Sequence, residues 1–129
     1  MPQHLGALTL LVRGYDEAIA WYTEKLGFRL TADTPLAGGK RWVTVAPPGS
    51  AETLLLLAQA AGSEQEAQIG HQAGGRVFLI LNTDDFWRDH KAYAAAGVVF
   101  REFPRDEDYG TVAVFEDLYG NLWDLLQVK

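Results

Sequence analysis

Phe115-Glu116-Asp117-Leu118-Tyr119-Gly120-Asn121-Leu122-Trp123-Asp124-Leu125-Leu126-Gln127 reads as strand, tight turn, strand. Val112, Val114 and Phe115 close one β-rich run. Asp117 to Asn121 is a cluster of turn formers, with Gly120 available for a positive φ. Leu122 to Gln127 is a second run, and Asp124 sits inside it. A carboxylate within an apolar strand must be paired, hydrated, metal-bound or turned toward a cavity. The plainer alternative puts Asp124 on the solvent side of an antiparallel strand. What meets Asp124 is therefore the main functional question the sequence poses.

Upstream of that stretch the chain spells out one pattern twice. Leu5 to Val12 alternates like a strand, with Leu8, Leu10 and Val12 on one face and Ala7, Thr9 and Leu11 on the other. Asp16 suits a helix N-cap or first turn, and Tyr15, Ile19, Tyr22 and Leu26 form one apolar stripe. Gly27 stops that helix. Phe28 to Thr31 begins a strand, Asp33 to Lys40 reads as a loop, and Arg41 to Ala46 is a strand carrying Trp42, Thr44 and Ala46 on one face. After the Pro47-Pro48-Gly49-Ser50 turn, Thr53 to Ala58 is a strand apolar on both faces. Gln59 to Gly75 lacks a sustained period and reads as a connector with a short helical turn near Glu64. The order then restarts. Arg76 to Thr83 is a strand, Asp84 or Asp85 caps a helix through Ala95, Gly97 ends it, Val98 to Phe103 is a strand and Pro104 to Asp108 a polar loop.

Sliding the halves by about 71 positions lays Leu8–Val12 on Leu79–Thr83 and Tyr22 on Tyr93. The reading is a single α+β domain over 1–129: a βαβββ module over about 1–58, a connector over 59–75 and a second module over about 76–129. Each half-sheet buries one face under its helix. The other face is spare, and two spare faces curved together would line a trough that admits a ligand.

Bulk chemistry narrows the classes. The 129 residues are 48% hydrophobic and 12% aromatic, enough for a core, and the formal net charge is −6. That charge argues against nucleic acid and anionic membranes as partners and favours neutral or cationic ligands. With no cysteine there is no thiolate nucleophile, disulfide or Cys-ligated metal. No apolar run of 18 residues exists, and Met1-Pro2-Gln3-His4 lacks a basic leader, so the expectation is a cytoplasmic protein. Ser50 and Ser63 are the only serines, and neither sits in a nucleophile elbow.

Three pieces of the chain, in order, resemble the vicinal-oxygen-chelate superfamily of glyoxalases, bleomycin-resistance proteins and extradiol dioxygenases. They are Tyr15-Asp16-Glu17-Ala18-Ile19-Ala20-Trp21-Tyr22-Thr23-Glu24-Lys25-Leu26-Gly27-Phe28, Arg41-Trp42-Val43-Thr44-Val45-Ala46-Pro47-Pro48-Gly49, and Tyr109-Gly110 ahead of the opening stretch. Leu118 departs from the Pro usual after Asp117. The resemblance implies paired βαβββ modules, a U-shaped cup and usually a homodimer. Metal enzymes of the superfamily take one ligand from the first and last strand of each module. Counting from the motifs, those positions fall on Ala7, Leu55, Phe78 and Asp124. Ala, Leu and Phe cannot ligate, and one carboxylate does not hold an ion. His4 could serve only through a bulge.

The resemblance therefore implies the metal-free, bleomycin-resistance-like branch, with no metal and no cofactor. The expected ligand is a small aromatic or amphipathic compound, a cationic antibiotic among the options. Its expected site is Leu11, Trp42, Thr44, Leu55, Phe78, Ile80, Tyr109 and Asp124. Trp42 could instead fill the core, and Tyr109 could simply brace a turn. Trp21 and Trp123 suit helix–sheet packing or the surface, His71 a solvated loop and His90 a structural place on its helix. Arg41 could pair with Asp124 or with surface carboxylates. The alternative function is a glyoxalase-like lyase or isomerase, or another enzyme with Asp124 as acid or base.

Overall fold

Alternating Leu and Val positions build the strands, and a computed structural model, which describes residues 2–50 and 52–129, gives their pairing. The chain divides into two compact units, Met1–Ile69 and Gly70–Lys129. The first holds β1 (Ala7–Val12), α1 (Tyr15–Lys25), β2 (Arg29–Pro35), β3 (Arg41–Ala46), β4 (Leu54–Gln59) and the short α2 (Gly62–Glu66). The second holds β5 (Val77–Asn82), α3 (Phe86–Ala95), β6 (Arg105–Glu107), β7 (Gly110–Glu116) and β8 (Leu122–Val128). Each unit carries one four-stranded sheet, ordered β1-β4-β3-β2 and β5-β8-β7-β6. In each, the first and last strands run parallel and the other pairs antiparallel. The α+β class with a repeated βαβββ order is thus as expected.

In the first unit the stripe on α1 does the packing. Tyr15, Ala18, Tyr22 and Leu26 are buried against Leu10, Val12, Val43, Val45, Leu55 and Leu57 on one face of the sheet. Burying a side chain of that size contributes about 1.5–3 kcal/mol, so this layer dominates the unit's stability. The second unit buries Phe86 and Tyr93 of α3 against Phe115, Trp123 and Leu125. Asp85, not Asp84, caps α3: its carboxylate accepts from Arg88 N at 3.1 Å. At the far end Gly97 (φ +90°) lets Val98 N reach Tyr93 O (3.0 Å) and Gly97 N reach Ala94 O (3.1 Å), which satisfies two end carbonyls of the helix.

The opening stretch folds around a carboxylate. Asp117, 5% exposed, accepts from Tyr119 N (3.0 Å), Asn121 N (2.9 Å), Asn121 Nδ2 (3.0 Å) and Trp123 Nε1 (3.4 Å). Asn121 Oδ1 in turn accepts from Gln72 N at 3.0 Å, which pins the end of the connector to the turn. A Cβ on Gly70 would lie 2.0 Å from the Tyr119 carbonyl oxygen, so only glycine fits that crossing.

Two element readings change. β2 does not stop before Asp33 but runs to Pro35, pairing Thr34 with Trp42 and Pro35 with Arg41. Proline is tolerated there because β2 is the sheet's edge strand. Conversely, Val98 to Phe103 is no strand. Its pairing with β7 is confined to a bridge at Phe100–Phe115 and the bonds Arg101 N to Val114 O and Glu116 N to Val99 O. The Glu102 carboxylate then takes the Val114 amide (3.2 Å), doing with a side chain what a strand would do with its backbone. The strand forms one step later, as β6, inside what reads as a polar loop.

Candidate ligand-binding site

Register decides which side chains share the spare face of each sheet. In the first unit Thr9 pairs with Leu56, which pairs with Thr44. Alternation then puts Ala7, Thr9 and Leu11 with Leu54, Leu56 and Ala58, and with Trp42, on the face away from α1. Leu55 belongs to the other face. It pairs with Leu8 and Val45, is 5% exposed and lies under the helix. Contrary to the sequence expectation, Leu55 therefore does not lie on the spare face; Leu56 does. Four consecutive leucines, Leu54 to Leu57, offer no alternation from which to read the phase.

Leu11 is half-buried on the spare face. Trp42 is 47% exposed and forms one wall of a cavity of about 340 Å³ with Tyr15, Leu36, Leu56, Ala58 and Gln65. Thr44 shares the face by register but is only 2% exposed, and its hydroxyl bonds Thr31 Oγ1 at 2.6 Å. It is a buried bracket between β2 and β3 and not an exposed contact. Arg41 pairs with carboxylates of its own unit. Its guanidinium pairs with Asp33 (2.8 and 3.1 Å) and Asp16 (2.9 Å) and lies 5.0 Å over the Tyr15 ring.

In the second unit the corresponding row is Ile80, Asp124 and Val114. Ile80 is 58% exposed, and Asp124 is half-buried between two apolar neighbours. An open hollow of about 600 Å³ is lined by Arg76, Val77, Phe78, Leu79, Ile80 and Asp124. Phe78 reaches it only as the residue of a register shift between Val77 and Leu79. Its ring stands edge-on to Trp123 (6.4 Å), a helix-side residue that is 2% exposed, so Phe78 is no clean spare-face position. Asp124 has its carboxyl held above the ordinary value, first by burial. Nearby Arg105 opposes the shift and Glu102 adds to it.

Arg105 is the residue missed in the sequence. It pairs with Val112 across the ladder, donates to Glu102 (3.1 Å) and Glu107 (3.1 Å), and has the Tyr109 side chain beside it. Tyr109 is 52% exposed in the two-residue turn between β6 and β7. The signal was present: Asp108-Tyr109 ahead of Gly110 is a hairpin turn, and it puts Arg105 and Glu107 on one face two residues apart. Trp123 is packed under the helix, His71 is exposed, and His90 lies among the rings of Phe86 and Phe100.

A divalent ion does not fit these side chains. Asp124 has Ile80 and Val114 beside it, the matching row of the first unit is Thr9, Leu56 and Thr44, and His4 lies outside β1. Among the described residues no three His, Cys, Asp or Glu side chains come together as a metal-holding group. What the spare faces offer is apolar surface, an exposed indole, and a carboxylate with a guanidinium nearby.

Two half-sheets of this order, each with a helix on one side, define the vicinal-oxygen-chelate fold. The chain belongs to the glyoxalase/bleomycin resistance protein/dioxygenase superfamily, whose family model matches residues 4–125. A protein of Shewanella frigidimarina is 58% identical over 130 residues, covering 100% of this chain and 96% of its own. Among solved structures, UcmS2 superposes with a TM-score of 0.84 at 31% identity, covering 98% of each chain. TnmS3, an antibiotic-binding protein from a Streptomyces species, superposes with a TM-score of 0.80 at 30% identity, covering 99% of this chain and 98% of its own. No helix among the described residues is long and apolar enough to cross a membrane.

Proposed function

We propose that this chain is a metal-independent small-molecule-binding protein that sequesters an aromatic or amphipathic ligand, in the manner of bleomycin-resistance proteins. The observation that carries the reading is the spare-face row Ile80-Asp124-Val114: a single half-buried carboxylate among apolar side chains, with no second ligating group in the row. Such a surface suits a ligand with a greasy ring and a cationic or hydrogen-bond-donating end. In the second unit Ile80 supplies apolar contact, Asp124 the counter-charge, and Tyr109 and Arg105 the polar margin; in the first unit Trp42, Leu11 and Leu56 offer apolar contact on its own spare face. The likeness to TnmS3, an antibiotic-binding protein, supports the ligand class. A homodimer and a cytoplasmic location belong to the same reading.

The test is thermal unfolding against a panel of amphipathic aromatic cations and their uncharged counterparts, with metal content measured by mass spectrometry. A true ligand at a hundredfold its dissociation constant stabilises the fold by about 2.7 kcal/mol. Stoichiometric tight metal, or a panel without a single stabilising compound, overturns the reading.

One observation favours a second reading. Burial lifts the Asp124 carboxyl above its ordinary value, as suits an acid–base group. An enzyme of the glyoxalase-like lyase or isomerase kind would lose turnover in Asp124→Asn while keeping its melting temperature. A pure binder has no turnover to lose.

A further inference from the structure

We propose a second small-molecule site on the helix side of the second unit, built to take a planar aromatic carboxylate. It does not depend on the reading of the spare faces. Between α3 and the segment 98–104 lies a groove of about 630 Å³, lined by His90, Ala94, Val98, Phe100, Arg101 and Phe103, with Glu102 and Pro104 at its end. That volume falls in the range of small-molecule pockets. The groove is on the opposite side of the half-sheet from Asp124, because Phe100 bridges to Phe115 and packs against its ring (5.9 Å) on the helix side.

The walls are rings. His90 and Phe100 have centroids 4.3 Å apart, and His90 stacks on Phe86 at 5.5 Å. Phe103 stands at the lip with 90% of its surface in water. A flat ring laid on Phe100 and Phe103 removes apolar surface from solvent on both sides of the contact.

The charges choose the other end of the ligand. The Glu102 carboxylate is already engaged, accepting from Arg105 and from the Val114 amide. Among the described residues the Arg101 side chain has a single ion pair, a long one of 3.5 Å to Glu116, and it is 55% exposed. Among the described residues the His90 imidazole makes ring contacts and no hydrogen bond. The groove thus has two weakly engaged nitrogen donors and no unengaged carboxylate, in a chain whose net charge is −6. A guanidinium with turning room pairs best with a carboxylate, in bidentate fashion.

The probe is 1-naphthoate, titrated against the full chain and followed by backbone amide NMR, with neutral 1-naphthalenemethanol as control. Saturable binding that moves the amides of His90, Ala94, Phe100, Arg101 and Phe103 is expected, with the neutral control at least tenfold weaker. Arg101→Gln and Phe103→Ala each weaken 1-naphthoate about tenfold. Both residues are exposed, so their variants keep the parent melting temperature. Equal affinity for the neutral control, shifts centred on Ile80 and Asp124, or absence of saturation overturns the proposal. So does self-association by sedimentation that Phe103→Ala abolishes, which would give the groove to a second copy of the chain.

Discussion

The two half-sheets share strand order, direction and helix placement, yet differ on both faces. Under α1 the layer is mostly aliphatic, with Leu10, Val43, Val45 and Leu57 around the Tyr22–Phe28 pair (5.7 Å). Under α3 it is a ring stack, with Phe115 on Trp123 (5.8 Å), Tyr93 (5.5 Å) and Phe100 (5.9 Å). On the spare side the matching rows read Thr9-Leu56-Thr44 and Ile80-Asp124-Val114. One frame thus tolerates two quite different cores and two quite different spare faces. The first unit brings an indole, the second a carboxylate.

Three substitutions probe that division. The largest effect belongs to the frame. Asp117→Ala strips four donors of their acceptor, at least two of them buried, and should cost about 4 kcal/mol, read from urea unfolding. If it costs under 1 kcal/mol, the turn is not what fixes β7 against β8.

Next comes Leu56→Asp, which writes the second unit's carboxylate into the first. It should cost about 2 kcal/mol, since a half-buried leucine is exchanged for a charge between Thr9 and Thr44. If the first unit accepts it at no cost, its spare face is as wet as an ordinary surface, and Trp42 is not part of a binding wall.

The smallest effect is on Asp124 itself. Its folded carboxyl titrates above the ordinary 3.8, so folding favours the protonated form. Its best contribution to stability is therefore present below pH 3.8 and is lost as pH rises through the raised value. Asp124→Asn should melt slightly higher than the parent at pH 7, and the gap should close on acidification to below pH 3.8. For a cationic ligand the order reverses: the parent binds more tightly at pH 7, by about tenfold, and loses that margin as the carboxyl protonates. A parent that melts above Asp124→Asn at pH 7 would mean that Arg105 outweighs burial at this position.

Much of the frame was legible. Gly27 and Gly97 ended the helices, the Tyr15-Ile19-Tyr22-Leu26 stripe found the buried face, and the Asp117–Asn121 cluster found the turn, because each depends on local backbone geometry or on a clear period. The site was less legible, for separate reasons. Leu54 to Leu57 give no phase, so Leu55 was read for Leu56. A register shift at Phe78 comes from how two strands meet and leaves no mark in either alone. Thr44 has the right parity, but its partner Thr31 sits at an irregularity in β2 that composition does not reveal. Arg105 was missed because a three-residue strand is too short to show alternation.

The Glu102 carboxylate on the Val114 amide reaches beyond the site. Along β7 the backbone next to β6 is covered by Glu102, Val99 and Arg101, so no continuous ladder of bare amides faces outward. An unsheathed ladder is what lets neighbouring molecules zip into fibrils. A single glutamate thus closes the one β7 amide that β6 and residues 99–101 leave uncovered, and with it the gap through which another strand could pair there.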